Sequence, residues 1–153
     1  MQDFRRLLVW ERAHLFAVAV RRMTRGFPRT GYAELKSQLT RAAESIPSNI
    51  VEGCAAATAK EFARYLDISI KSTAEVEYRL QLATDNGVLA PRTWRSLTAE
   101  VVEIRRMLCG LRRSVLSANR KRQPKRENGD RRRKTDETGP IDGSRNNDDA
   151  LAN

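Results

Sequence analysis

Arginines recur at a fixed spacing near the end of the last periodic stretch of the chain. Trp94, Val101, Leu108 and Val115 step by sevens and read as position a of a helical heptad. Arg92, Arg106, Arg113 and Arg120 then fall at position f, the outermost row, with Arg105 and Arg112 beside them at e. Lys121 and Arg122 prolong that row. The first part of the chain adds Arg5, Arg6, Arg12, Arg21, Arg22, Arg25 and Arg29. A guanidinium is a permanently charged planar fork whose N–H groups match phosphate oxygens. The chemistry these residues can do is therefore polyanion binding. The candidate phosphate contacts are Arg21, Arg22, Arg25, Arg105, Arg106, Arg112, Arg113, Arg120, Lys121 and Arg122. Few aromatics lie among them, so stacking on bases is not expected. Contacts to the backbone of RNA or DNA would be insensitive to sequence and steeply salt-dependent. The plainer alternative is a solvated charged face.

The overall charge agrees with the first reading. The chain has 153 residues, with 29 Lys and Arg against 19 Asp and Glu, a formal net charge of +10. Residues 118–134 hold nine basic and two acidic residues, and 135–153 hold one and five. A basic body followed by a basic arm suits a polyanionic partner.

Catalytic chemistry finds little to stand on. One histidine, His14, and two distant cysteines, Cys54 and Cys109, cannot build a zinc cage. Carboxylate bundles holding two metals need Glu-x-x-His pairs, and there is none. No local sequence pairs either cysteine with His14 as nucleophile and base. No Gly-rich phosphate loop occurs. Glu52 and Glu75 could form an acid–base pair, but neighbouring arginines would keep both ionised. The expectation is a protein that is not an enzyme, with no metal or cofactor. The N-terminus reads as an amphipathic segment rather than a signal-peptide core, and no apolar run reaches the roughly 20 residues of a membrane span. A reduced, cytoplasmic protein with no membrane partner is expected.

The elements that would position these arginines are four helices, each legible from spacings of three and four. The first carries Trp10, Ala13, Ala17, Val20, Thr24 and Phe27, and Phe27-Pro28 ends it. The second runs from about Tyr32 to Gly53 with Leu35, Leu39, Ala42, Ile46 and Ile50 inward. Its spacing slips after Ile46, beside Pro47, as a kink would produce. The third opens on Thr58-Ala59-Lys60-Glu61, a capping-box pattern, and stops at Asn86-Gly87. Its stripe is Phe62, Leu66, Ser69, Thr73, Val76, Leu80 and Ala83. The fourth opens on Pro91 and continues to about Ser117. Helices of this length joined by short loops predict an all-α, up-down-up-down antiparallel four-helix bundle over residues 1–117. Residues 118–153 have too little apolar surface to offset ordering entropy, and read as a disordered charged tail.

Two features exceed what one bundle needs. Leu8, Leu15, Phe16 and Val18 lie off the inward stripe of the first helix, and Ile68, Ile70 and Leu82 off that of the third. A second apolar face suggests burial between subunits. The alternative is a wide core face with scattered exposed apolar residues. On the second helix Arg41, Ser45, Asn49 and Glu52 form a polar line, and on the third Ser72, Glu75 and Arg79 form another. If the lines meet they make a network in which Arg41 and Arg79 neutralise Glu52 and Glu75. If not, they are solvated faces with local ion pairs.

The run Phe4-Arg5-Arg6-Leu7-Leu8-Val9-Trp10-Glu11-Arg12-Ala13, the Phe27-Pro28 pair and the block Ser45-Ile46-Pro47-Ser48-Asn49-Ile50-Val51-Glu52-Gly53 carry a family resemblance. With Lys60-Glu61-Phe62 and Tyr65-Leu66, they resemble the bacterial four-helix bundle proteins, also called 23S ribosomal RNA intervening-sequence proteins. The resemblance spans roughly residues 4–116. It implies a small antiparallel bundle assembled into a homopentameric ring with a basic surface, and no catalytic residues. It also implies kinship with accessory subunits of reverse transcriptases in diversity-generating retroelements. The reading that follows is a non-enzymatic, oligomeric accessory protein that binds nucleic acid through its arginine-rich surface. The alternative is an interaction scaffold, for a reverse transcriptase or an acidic partner, without direct nucleic-acid binding.

Overall fold

The computed structural model describes residues 3–122. A short 3-10 turn, Phe4–Arg6, precedes four helices: α1 (Leu8–Thr24), α2 (Ala33–Ala55), α3 (Ala59–Asp85) and α4 (Pro91–Arg122). Among the described residues there is no strand. The expected stops work. Phe27 is buried below the α1–α2 turn, and Gly31 and Gly87 adopt φ of 83° and 73°, which a side chain would resist. The Thr58 hydroxyl accepts the Glu61 N–H at 3.1 Å, and the Glu61 carboxylate accepts the Ala57 N–H at 3.2 Å. The capping is thus reciprocal, though Glu61 reaches one residue further back than a standard box.

Cross-helix contacts give the directions. Arg21 meets Glu44 while Thr24 meets Thr40, so α1 and α2 are antiparallel. Ser45 meets Ser72 and Ile46 meets Ser69, so α3 reverses again. Asp67 meets Arg112 and Glu77 meets Arg105, so α4 runs opposite to α3. Each helix packs on its chain neighbours and α4 closes onto α1, while the diagonal pairs have no close backbone approach among the described residues. This is the up-down-up-down bundle.

The core is built from the expected stripes. Leu39, Ile46, Ile50, Leu66, Val76, Leu80, Val101, Ile104 and Leu108 are fully buried. Buried hydroxyls are satisfied: Thr73 donates to Ile70 O on its own helix at 2.6 Å, and Ser69 donates across to Ile46 O of α2 at 3.0 Å. Two placements on α1 differ from expectation. Phe16 is only 3% exposed and belongs to this core, so it is not available to an interface. Trp10 sits half-buried at the rim, edge-on to Phe4 and stacked on the exposed His14 ring. The buried set Val9, Ala13, Phe16, Ala17, Val20 and Thr24 spans a wide arc because α1 packs on both α2 and α4.

Helix α2 continues through Pro47, which is itself buried. Near its end α2 closes tightly on α3. A Cβ on Gly53 would stand 2.5 Å from Cδ2 of the buried Phe62 ring and 3.0 Å from Tyr65 Cβ, so this position is restricted to glycine.

The polar network is smaller than the sequence suggests. Asn49 Nδ2 donates to Ser45 O at 2.8 Å and to Ser45 Oγ at 3.0 Å. Ser72 Oγ lies 3.0 Å from both Ser45 Oγ and Ile68 O. Arg41 and Glu52 are exposed and take no part. Arg79 instead pairs with Glu75 on its own helix at 3.6 Å. Eleven residues at about 100° each return to within about 20° of the start, so Arg41 and Glu52 share an outer face of α2, while Ser45, about 40° round from Arg41, meets Ser72 of α3.

Helix α4 runs to Arg122 rather than ending near Ser117. The first strong breaker after Ser117 is Pro124, so nothing in the local sequence halts the helix sooner. Of the tail expected to be disordered, 118–122 are therefore helical, and 123–153 lie outside the described residues.

Candidate nucleic-acid interface

The helices divide the arginines into two populations. Those at the edges of helix–helix seams reach acids on the neighbouring helix. Arg105 Nη1 donates to Glu77 Oε2 at 2.6 Å. Arg112 Nη2 donates to Asp67 Oδ2 at 3.1 Å, with its Nε 2.6 Å from Oδ1. On the opposite seam Arg12 forks onto Glu100, Nε to Oε1 at 3.0 Å and Nη2 to Oε2 at 2.8 Å. That hydrogen bond, reinforced by the charge of Glu100, raises the Arg12 pKa above its already high usual value. Arg21 meets Glu44 across α1 and α2 at 2.6 Å. Arg105 and Arg112 are therefore interhelical clamps and not open phosphate contacts. Position e flanks the seam and points at the next helix, where α3 presents Asp67 and Glu77.

The second population faces solvent. Arg106 is 76% exposed, with Glu103 at 3.6 Å on its own helix. Arg113 is exposed, its Nε 3.4 Å from the Cys109 carbonyl. Arg120 and Lys121 are exposed at the end of α4. Arg122 closes the helix, and its side chain lies outside the described residues. This outer row is convex, because position f is the ridge of the helix furthest from the core.

Arg22 and Arg25 are exposed on the last turn of α1 and just beyond it, with no carboxylate within 4.0 Å among the described residues. Arg25 belongs to a groove of about 710 Å³ between the end of α1 and the start of α2. It is lined by Arg21, Thr24, Arg25, Phe27, Pro28, Arg29, Ala33, Lys36, Ser37, Thr40, Arg41 and Glu44. Sequence reading missed Lys36 and Arg41 as partners of the α1 arginines. They belong to another helix, and only the turn at Gly31 folds them back.

Of the apolar residues expected at a subunit interface, Leu8, Leu15 and Ile68 are exposed, at 62%, 60% and 37%. Val18 is half-buried beside a groove of about 400 Å³ that also takes in Phe4, Trp10, His14, Pro47 and Val51. Ile70 is half-buried and packs on the core. Burial, with the Asp3 carboxylate adding to it, pushes the Cys54 thiol pKa up and away from thiolate reactivity at neutral pH. Among the described residues no three His, Cys, Asp or Glu gather as a metal site would require, and no helix is long and apolar enough to cross a membrane.

Comparison with known proteins matches the chain to the family described as 23S rRNA-intervening sequence protein, over residues 5–110. No curated protein matches it. Among solved structures, the chain is similar to a protein of unknown function from the S23 ribosomal protein family of Bacteroides thetaiotaomicron, at 23% identity and a TM-score of 0.66. The likeness covers 69% of this chain and 96% of that one, and it concerns the fold alone. With the helices, their direction and the Pro47–Gly53 seam in place, the family match over most of the bundle settles membership: this chain belongs to the 23S rRNA-intervening sequence protein family.

Proposed function

We propose that the protein is a non-catalytic accessory protein that binds nucleic acid through phosphate contacts. The observation that carries this reading is the outer ridge of α4, where Arg106, Arg113, Arg120 and Lys121 stay exposed while the neighbouring e-position arginines are tied to α3. Guanidinium groups held by short ion pairs have little left for a partner. Those on the ridge make at most long contacts within α4, to Glu103 at 3.6 Å from Arg106 and to the Cys109 carbonyl at 3.4 Å from Arg113, and a convex cationic ridge suits the backbone of a duplex or a folded RNA.

The protein acts as an oligomer, and the family resemblance favours a homopentamer. Leu8 and Leu15, one heptad apart on the exposed side of α1, support a subunit contact, as does Ile68 on α3. The same apolar residues favour the second reading, a scaffold that docks a protein such as a reverse transcriptase without touching nucleic acid. Light scattering at micromolar concentration tests the assembly, and a stable monomer removes it from the proposal.

The direct test replaces Arg106 and Arg113 with Glu together. Affinity for RNA and duplex DNA should fall alike, and the salt slope should flatten by about two for two lost phosphate contacts. Unchanged affinity and slope would remove the ridge as the contact surface. A wild-type protein that shifts no nucleic acid at low salt leaves the scaffold.

A further inference from the structure

The groove between the end of α1 and the start of α2 gathers five cationic side chains, Arg21, Arg25, Arg29, Lys36 and Arg41, around one carboxylate, Glu44. Arg21 already holds that carboxylate, with Nε 2.7 Å and Nη2 2.6 Å from the same oxygen. The other four cations have no carboxylate within 4.0 Å among the described residues. Like charges repel, and a fold that places four of them around one concavity leaves a focused positive potential. Concavity strengthens this effect, because low-dielectric walls concentrate field lines inside a cleft. At about 710 Å³ the groove is the size of a ligand site and larger than one phosphate requires. The α4 ridge offers the same charge on a convex surface.

We propose that this corner groove is a second phosphate-binding site, built for two or more linked phosphates. It extends the reading above, since its ligand is again phosphate, but it stands on different residues, so each can fail alone. The groove and the ridge are at opposite ends of the bundle. The Arg12–Glu100 pair sets the register of α1 against α4, and a rise of 1.5 Å per residue then puts Arg25 and Arg113 roughly 40 Å apart along the axis. Two such sources fit the chemistry: the backbone of a nucleic-acid strand, or a free polyphosphate. Glu44 acts as a brake, because it occupies Arg21 and is the groove's one negative charge.

The test titrates the full chain with a uniform-sequence single-stranded oligonucleotide and, separately, with inorganic tripolyphosphate. The variants are Arg25→Glu with Lys36→Glu, the neutral pair Arg25→Gln with Lys36→Gln, Glu44→Gln, and Arg106→Glu with Arg113→Glu. Circular dichroism reports whether each is folded. The charge-reversed groove pair should weaken at least one ligand about tenfold or more, and the neutral pair should weaken it less. Glu44→Gln should tighten the same ligand several-fold, a gain that loss of structure cannot mimic. Loss confined to the oligonucleotide assigns the groove to a strand, and loss confined to tripolyphosphate assigns it to a free polyphosphate. The ridge variant should leave tripolyphosphate binding unchanged. If both groove pairs bind both ligands as the wild type does, the site is overturned, whatever the ridge variant does.

Discussion

The α4 ridge and the α1–α2 corner use the same residue type to different ends. Along α4 the arginines at position e spend their charge inside the molecule, on Glu77 and Asp67, and those at position f face outward on a convex surface. At the corner, cations from α1, the turn after it and α2 line a shared hollow with a single acid among them. Counting arginines therefore says little about binding capacity. A guanidinium at a seam, opposite a carboxylate of the next helix, is a clamp, and one that lines a hollow without a carboxylate partner is a receptor. The clamps contribute modestly, since partly exposed pairs are worth about 0–1 kcal/mol each.

Both regions depend on the frame that holds them, and the largest expected effect comes from breaking it. Gly53→Ala forces a Cβ onto the Phe62 ring and should cost about 1–3 kcal/mol, read as a lower midpoint in chemical denaturation. Retained stability would mean that α2 and α3 part easily, and neither surface would then be held by that seam.

Next in size is the reversal of the clamps. Arg105→Glu with Arg112→Glu sets like charges against Glu77 and Asp67 and should cost about 1–2 kcal/mol in stability. Nucleic-acid affinity of the folded variant should fall far less than for Arg106→Glu with Arg113→Glu. Equal losses in the two variants would erase the distinction between clamp and ridge.

The smallest effect sharpens the contrast. Glu103→Gln frees Arg106 from its weak partner and should strengthen binding by a few tenths of a kcal/mol at low salt, fading as salt rises. A gel-shift series across ionic strength resolves it. Weaker binding in this variant would show that Glu103 orients Arg106 rather than competing for it.

Much of the bundle could be read in the chain because its signals are local. The stripe from Leu39 through Ile50, the cap at Thr58, the stop at Gly87 and Pro91 at the head of α4 each depend on residues within a turn or two. The site was less legible. Heptad letters correctly separated e from f but did not reveal which e-position arginines would find an acid, because Asp67 and Glu77 lie on another helix. Phe16 shows the same limit. Its off-stripe spacing marks it as outward, yet α1 is covered on two sides and the ring is buried.

The linear order of residues determined the four helices, the start of α4 and the stop of α3, the excess of positive charge and the family, since backbone propensity, side-chain period and net charge belong to the chain itself. Only the tertiary structure decided which charges are spent and which remain. An ion pair or a groove exists only when residues far apart in sequence are brought within a few ångströms, as Arg112 is to Asp67 and Arg25 to Lys36.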